Sequence, residues 1–218
     1  MKIISVCPES LAANTFLLIS GTDAIVVDPA VSVSAIKKLL SKEKVSLSAI
    51  ILTHGHFDHT IAVDTIRNKY AVPLMMHRDD APMLADGKID GFFTFYGLEC
   101  THRPAETFFS DGDRLTLGCE GIKVISTPGH SPGSVCLLCK DDSGKSFMLT
   151  GDTLFENSVG RCDLWGGDSA LLASSLAKLA KYDKDIVIYP GYTLVGLAGV
   201  WGITLLFRRD GIKHHDEH

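Results

Sequence analysis

Residues 49–59 read AIILTHGHFDH, and this stretch decides how the rest of the chain is interpreted. Its first four residues are apolar, which is typical of a strand buried on both faces. Three imidazoles and a carboxylate follow within six residues, and this donor set suits zinc or iron. Because strand side chains alternate, we expect His54 and His56 to point the same way. Asp58 and His59 then begin a helix, and their side chains can face a second metal position. The alternative, a solvated polar loop, leaves unexplained why histidines that repel one another when protonated stand so close.

Two later segments also place a polar side chain directly after a predicted strand. Residues 126–134 read STPGHSPGS with His130 at their centre, and residues 149–155 read LTGDTLF with Asp152. Taken alone, His130 favours a structural role and Asp152 a turn or capping role. The placement that they share with residues 54–59 favours a common metal site.

Composition limits the classes of partner and compartment. The 218 residues carry 21 Lys+Arg and 26 Asp+Glu, a net charge of −5 with no basic run, so we expect no nucleic-acid partner. Pro8 and Glu9 interrupt the first apolar stretch, unlike a secretory signal. The apolar stretch 194–207 is shorter than the roughly 20 residues of a membrane helix. We predict a cytoplasmic protein with reduced thiols and no membrane partner.

The pattern of apolar residues predicts two strand-rich halves with helices outside, in the α/β class. Helices are predicted at 32–41, about 60–70, and 168–181. The predicted strands are 3–6, 15–19, 24–27, 49–52, 74–76, 115–117, 122–126, 134–138, 147–149 and 186–189. Residues 86–106 are predicted to form a long excursion. Its aromatic segment Phe92–Tyr96 is interpreted either as a substrate lid or as an insertion anchored by its own aromatics.

Four motifs together resemble one family: HxHxDH at 54–59, PGH at 128–130, GDTLF at 151–155 and GRxD at 160–163. They are similar to motifs of the metallo-β-lactamase superfamily, and within it to the glyoxalase II (hydroxyacylglutathione hydrolase) branch in a short, single-domain form. The resemblance covers residues 2–191. It implies a four-layer αββα sandwich, with a domain at 1–191 and a divergent tail at 192–218.

The resemblance also implies a set of metal ligands and substrate-binding residues. Two ions are expected, zinc in the first place, with iron or manganese as alternatives. Arg161 and Phe155 are expected near the substrate, although a structural pair with Asp163 explains the arginine equally well. The first ion would bind His54, His56 and His130, the second Asp58 and His59, and both would share Asp152.

The activity that the resemblance implies is hydrolysis of a thioester, hydroxyacylglutathione-like, or of a related acyl ester. A metal-activated hydroxide would attack the carbonyl carbon, and Asp58 would orient it. The expected partner is a small-molecule thioester, and the expected assembly is a monomer or homodimer. One alternative is a mononuclear iron persulfide dioxygenase using His54, His130 and Asp152. A β-lactamase proper is not expected, because the chain shows no export signal.

Tyr192 stands where the family places its last ligand, a histidine. The chain stops resembling the family after this position. Either the chain is a natural variant with a weakened second site, or a frameshift near the codon of Gly191 has replaced the last segment. The abrupt change favours the frameshift, and an impaired or non-catalytic protein is therefore a further alternative. His214, His215 and His218 are interpreted as parts of a solvated tail rather than substitute ligands.

Two other motifs are given structural interpretations. The segment 129–133 matches the GxSxG nucleophile elbow, but Pro132 lacks the N–H that this elbow's oxyanion hole requires. Cys136 and Cys139 form a CxxC pair in a predicted strand, where alternation would place them on opposite faces. We predict buried structural thiols rather than a redox or zinc pair.

Overall fold

A computed structural model describes residues 1–6, 13–97 and 99–192. Its first sheet has six strands in the order β1-β2-β3-β4-β5-β6. The first three strands are antiparallel, and β3 to β6 run parallel. The strands are β1 (Lys2–Val6), β2 (Thr15–Ser20), β3 (Asp23–Val27), β4 (Ser46–Ile51), β5 (Leu74–His77) and β6 (Thr107–Phe109).

The second sheet has five strands in the order β11-β10-β9-β8-β7. All neighbours are antiparallel except β10 and β11, which are parallel. As a result, β8, β10 and β11 end at the same edge of this sheet. The strands are β7 (Arg114–Leu117), β8 (Glu120–Ser126), β9 (Val135–Lys140), β10 (Ser146–Gly151) and β11 (Val187–Pro190).

Three layers of buried apolar side chains hold the sheets and helices together. Between the sheets, residues such as Ile51 pack with Leu137 and Leu149. The outer face of the first sheet packs on α1 (Val33–Glu43) and α3 (Val63–Tyr70) through a second cluster. The outer face of the second sheet packs on α6 (Ser169–Leu179) through Leu179. The predicted αββα sandwich is confirmed.

The elements differ from the sequence prediction mainly between residues 57 and 109. The helix predicted at about 60–70 is divided into α2 (Phe57–Thr60) and α3. The predicted excursion is preceded by a 3₁₀ turn, Arg78–Asp80, and by α4 (Ala81–Ala85), and it contains α5 (Phe92–Tyr96). Strand β6 follows it and was missed, because three residues carry no recognisable period. Pairing with β5 and burial of Phe109 define this strand.

Cys136 and Cys139 are both buried, and each belongs to a different apolar cluster on the two faces of β9. Burial raises the pKa of the Cys136 thiol to about 11 and that of Cys139 to about 12. The prediction of structural thiols is confirmed. No helix in the described ranges is both long and apolar enough to cross a membrane. Residues 193–218, with nearly all of the predicted tail, lie outside the described residues, so the predicted domain boundary stays a prediction.

Candidate metal centre

Strands from both sheets end beside one another and bring the predicted site residues together. Residues 52–56 follow β4, residues 127–134 follow β8, and Asp152 follows β10. The backbone N–H of Val135 donates to the carbonyl of Thr53 at 2.9 Å, which ties the two sheets at this edge. The site is therefore built on the ends of rigid strands.

His54, His56 and His130 form the first group of donors. The Nε2 atom of His130 lies 2.8 Å from Nδ1 of His56 and 3.2 Å from Nε2 of His54. The three side chains are buried, and their nitrogens lie close enough to hold one ion. Burial lowers the pKa of His54, and the positive charges of neighbouring histidines lower it further. Neutral imidazole is the form that binds metal.

His54, His59 and Asp152 form the second group. Nε2 of His59 lies 3.3 Å from Oδ1 of Asp152. Neither atom has a hydrogen-bond partner among the described residues, and the same is true of Nε2 of His56. A buried polar atom without a partner costs about 1–3 kcal/mol, and a cation between Nε2 of His59 and Oδ1 of Asp152 would satisfy both of these atoms. Oδ2 of Asp152 also lies 3.6 Å from Nε2 of His130, so this carboxylate reaches both groups.

Asp58 lies at the rim of the second group. Its Oδ2 is 4.0 Å from Nε2 of His59 and accepts a hydrogen bond from the Tyr192 hydroxyl. Burial raises the pKa of Asp58, and His59 opposes that shift. Burial also raises the pKa of Tyr192, as does the charge of Asp58, so the hydroxyl keeps its proton here. Asp58, His59 and Asp152, predicted to share the second ion, thus lie together, with Tyr192 at the position where the resemblance implies a histidine.

The physical reason given for the convergence of His54 and His56 is wrong. Strand β4 ends at Ile51, and His56 is the N-cap residue of α2. The loop between them turns both rings toward His130, so loop geometry rather than strand alternation brings the nitrogens together. The two rings meet edge to face, with centroids 4.8 Å apart.

Sequence reasoning missed Asp28, which orients the second group. This fully buried carboxylate accepts hydrogen bonds from the Thr53 N–H at 2.8 Å and the Thr53 hydroxyl at 2.6 Å. Its Oδ2 also lies 2.9 Å from Nδ1 of His59. Such a contact fixes the ring so that Nε2 faces the metal. Burial lowers the pKa of His59, but the charges of Asp28 and Asp152 outweigh burial and raise it well above its usual value. Asp28 directly follows a buried strand, the same signal that singled out Asp152.

Asp80 was also missed, and it fastens together the loops that carry the first group. Its Oδ2 accepts the backbone N–H of Gly55 at 2.9 Å and the Ser131 hydroxyl at 2.7 Å. Its Oδ1 accepts the N–H of Gly133 at 2.5 Å. A similar constraint acts on His130, whose Nδ1 lies 2.8 Å from the Arg161 carbonyl and is fixed as the donor. These contacts leave Nε2 of His130 facing the centre.

A cavity of about 460 Å³ opens beside the donors. Its far wall is aromatic and apolar, and Phe57 packs there on α5, with its ring centroid 5.0 Å from Phe92 and 5.7 Å from Tyr96. Of the two predicted substrate-binding residues, Arg161 lines this cavity, whereas Phe155 is not a lining residue and contacts the lining residue Tyr192, with ring centroids 6.4 Å apart. The lining residues are His56, Phe57, Asp58, Asp90, Gly91, Phe95, Tyr96, His130, Asp152, Arg161, Leu164 and Tyr192.

The family model of the metallo-β-lactamase superfamily matches residues 9–192 of this chain. The chain belongs to the metallo-β-lactamase superfamily. The match includes both groups of donors and ends at Tyr192. The donor set of buried imidazoles and carboxylates fits the metal-binding character of this superfamily, and within the described part of the chain Nε2 of His59 and Oδ1 of Asp152 make no hydrogen bond.

Curated relatives of this superfamily member include the "Probable metallo-hydrolase YqgX" of Bacillus subtilis (strain 168), 33% identical over 185 residues, covering 85% of this chain and 83% of the relative. Another is the "Probable polyketide biosynthesis zinc-dependent hydrolase BaeB" of Bacillus velezensis, 30% identical, covering 80% and 69%. Similar solved structures include the BLEG-1 B3 metallo-β-lactamase, with 31% identity, a TM-score of 0.80 and coverage of 88% and 92%. TTHA1623 in a di-iron-bound form has 30% identity, a TM-score of 0.74 and coverage of 89% and 93%.

Proposed function

We propose that this protein is a metal-dependent hydrolase of thioesters, hydroxyacylglutathione-like, or of related acyl esters. The observation that carries the proposal is the pair of buried donor groups that share His54 and open onto one cavity. The name of the Bacillus subtilis relative, a probable metallo-hydrolase, supports the reaction class. The four motifs that resemble the glyoxalase II branch support the thioester.

The chain's own residues would divide the work as follows. One ion would be held by His54, His56 and His130. The other ion would be held by His59 and Asp58, and Asp152 would bind both ions. Bound metal supplies an acidified water and polarises the scissile carbonyl. Asp58 faces the cavity and would orient the attacking oxygen toward the carbonyl carbon. Zinc is the first expectation, with the relative BaeB in support, and the di-iron neighbour supports iron.

The cavity wall fits a substrate with an apolar acyl group. Phe95 and Tyr96 are about half exposed and face the donors across the cavity, where they would cover the acyl chain. The Arg161 guanidinium lies 5.4 Å from the Phe95 ring centroid and pairs with Asp163 at 2.6 Å. This arginine would meet an anionic part of the substrate at the mouth. A thiolate leaves without a strong general acid, so the cavity wall does not need to supply a general acid.

Hydrolysis of a β-lactam is a second candidate, favoured by the 31% identity to the BLEG-1 enzyme. Its amide bond would be attacked in the same site by the same chemistry. The persulfide dioxygenase alternative requires only His54, His130 and Asp152, which also lie together here. These reactions are separated by their products.

The test is a substrate panel on protein loaded with zinc or iron, with the three tail histidines changed to alanine so that they cannot bind metal. We expect release of free thiol from a hydroxyacylglutathione, and His56→Ala should lower kcat/KM by more than about 100-fold, the upper end for losing only an outer partner of a ligand. His77→Ala, outside the cavity wall, is the matched control. Faster turnover of a β-lactam, or oxygen consumption with a persulfide, would contradict the thioester proposal.

A further inference from the structure

Tyr192 occupies a defined place beside the second donor group. Its hydroxyl donates to Oδ2 of Asp58, and its ring lies 6.0 Å from the His59 ring, nearly perpendicular to it. Tyr192 also lines the same cavity as Asp152. The phenolic oxygen therefore stands among the side chains of the second group, on the side where the group is open to the cavity.

The backbone that leads into Tyr192 is fixed by contacts of Pro190 and Gly191. The N–H of Gly191 donates to the Gly151 carbonyl at 2.7 Å, and the Gly191 carbonyl accepts the Asn14 N–H at 2.7 Å. The Asn14 side chain holds the Pro190 carbonyl at 3.1 Å. A side chain at Gly191 would collide with Oδ1 of Asp152 and approach Cε1 of His59 at 2.9 Å. The backbone at Gly191 thus lies against Asp152 and His59, and the side chain of the next residue, Tyr192, enters the site.

We propose that Tyr192 is itself a metal ligand, its phenolic oxygen completing the second group with His59, Asp58 and Asp152. The proposal rests on the metal centre of the proposed function and is independent of the substrate. Binding through the phenolate would release the phenol proton of Tyr192 to solvent, one proton for each ion bound at the second site. The second site then has a phenolic oxygen as its ligand at this position, rather than no ligand.

The ligand set predicts which ion this site prefers. With His54 counted in the first group, the second group offers the imidazole of His59 and three anionic oxygens, a harder donor set than the three imidazoles of the first group. Hard oxygen donors favour ferric iron or manganese over zinc, because zinc is borderline-soft and is commonly held by imidazole and thiolate. We therefore expect the second site to hold ferric iron with a tyrosinate ligand.

Spectroscopy of the iron-loaded protein provides the test. The full chain, with the three tail histidines changed to alanine, is stripped of metal, given ferrous iron under nitrogen and then opened to air. We expect two irons per chain, a visible tyrosinate-to-iron(III) charge-transfer band, and resonance-Raman enhancement of tyrosine ring modes. Tyr192→Phe should abolish the band and weaken binding of the second iron by about 10–100-fold or more. Tyr96→Phe, the other tyrosine of the cavity wall, should keep the band.

Tyr192→His separates the ligand role from a packing role, because it should retain two irons and lose the band. The proposal is overturned if the wild-type chain binds one iron, or binds two without the band. It is equally overturned if Tyr192→Phe keeps the band or binds the second iron as tightly. Failure to hydrolyse any thioester would leave the band in place, so the two proposals fail separately.

Discussion

Single oxygen atoms outside the centre decide which nitrogen two of its histidines turn toward it. An imidazole can offer either nitrogen to a metal, and the partner of the other nitrogen makes the choice. For His59 that partner is Asp28, at 2.9 Å and fully buried. For His130 it is the carbonyl of Arg161. The donors are thus oriented before any ion arrives, which lowers the cost of assembling the site.

Asp28→Asn should weaken the second site while leaving the first largely intact. The amide NH₂ would face the Nδ1–H of His59, and the ring would lose its acceptor. We expect the affinity for the second ion to fall about 10–100-fold, measured by calorimetric titration of apo protein with zinc. Thr15→Val removes a buried hydroxyl that donates to the backbone carbonyl of Asp28 and leaves the contact of the carboxylate with His59 in place. It is the control, and an equal loss in both variants would contradict the orienting role.

At the scale of elements, helix α6 holds the loop that carries His130. The Asp168 N–H donates to the Gly129 carbonyl at 2.8 Å, and the Ser175 hydroxyl donates to the Pro128 carbonyl at 2.7 Å. Gly129 has φ +134, and a Cβ there would collide with the backbone of Leu172. The loop and the helix therefore approach so closely that only glycine fits.

Gly129→Ala should destabilise the protein through both strain and collision. We expect a loss of about 2–5 kcal/mol in the free energy of unfolding, the sum of a positive φ and an overpacked contact. Gly144→Ala shares a positive φ of +82 but meets nothing within 4 Å. This control should lose only about 1–2 kcal/mol. Urea unfolding measures both, and equal losses would show that the contact with α6 does not matter.

At the scale of the whole molecule, the centre lies where the two sheets meet. Its donors come from the ends of β4, β8 and β10, so metal binding links elements that are far apart in sequence. Nε2 of His59 and Oδ1 of Asp152 lie 3.3 Å apart, and neither atom has a hydrogen-bond partner among the described residues. Bound metal should therefore stabilise the folded sandwich as a unit.

Removing metal should lower the melting temperature. A ligand present at 100 times its Kd stabilises a fold by about 2.7 kcal/mol, which corresponds to about 5–11 °C for a chain of this size. Calorimetry with and without a chelator, on protein lacking the tail histidines, measures this shift. Asp152→Asn should reduce the shift because the carboxylate shared by both groups loses its negative charge and one of its two oxygens. An unchanged melting temperature on chelation would contradict a structural contribution of the metal.

Local patterns in the sequence determined much of this architecture. Apolar runs and turn residues predicted most strands and the helix over 168–181, because burial and period act over a few neighbouring residues. The clustering of His54, His56, Asp58 and His59 in one loop indicated a metal, since no other chemistry explains so many histidines together. His130 and Asp152 followed from their positions after strands.

Only the tertiary structure decided which residues support the ligands. Asp28 meets His59 across 31 residues, Asp80 meets Gly133 across 53, and Tyr192 meets Asp58 across 134. Strand β6 likewise exists through pairing with β5 rather than through its own three residues. Contacts of this kind depend on how the sheets pack, and no local pattern of polarity records which distant partner a buried group will find. The sequence therefore determined the donors, and the packing of the two sheets determined their orientation and the place of Tyr192.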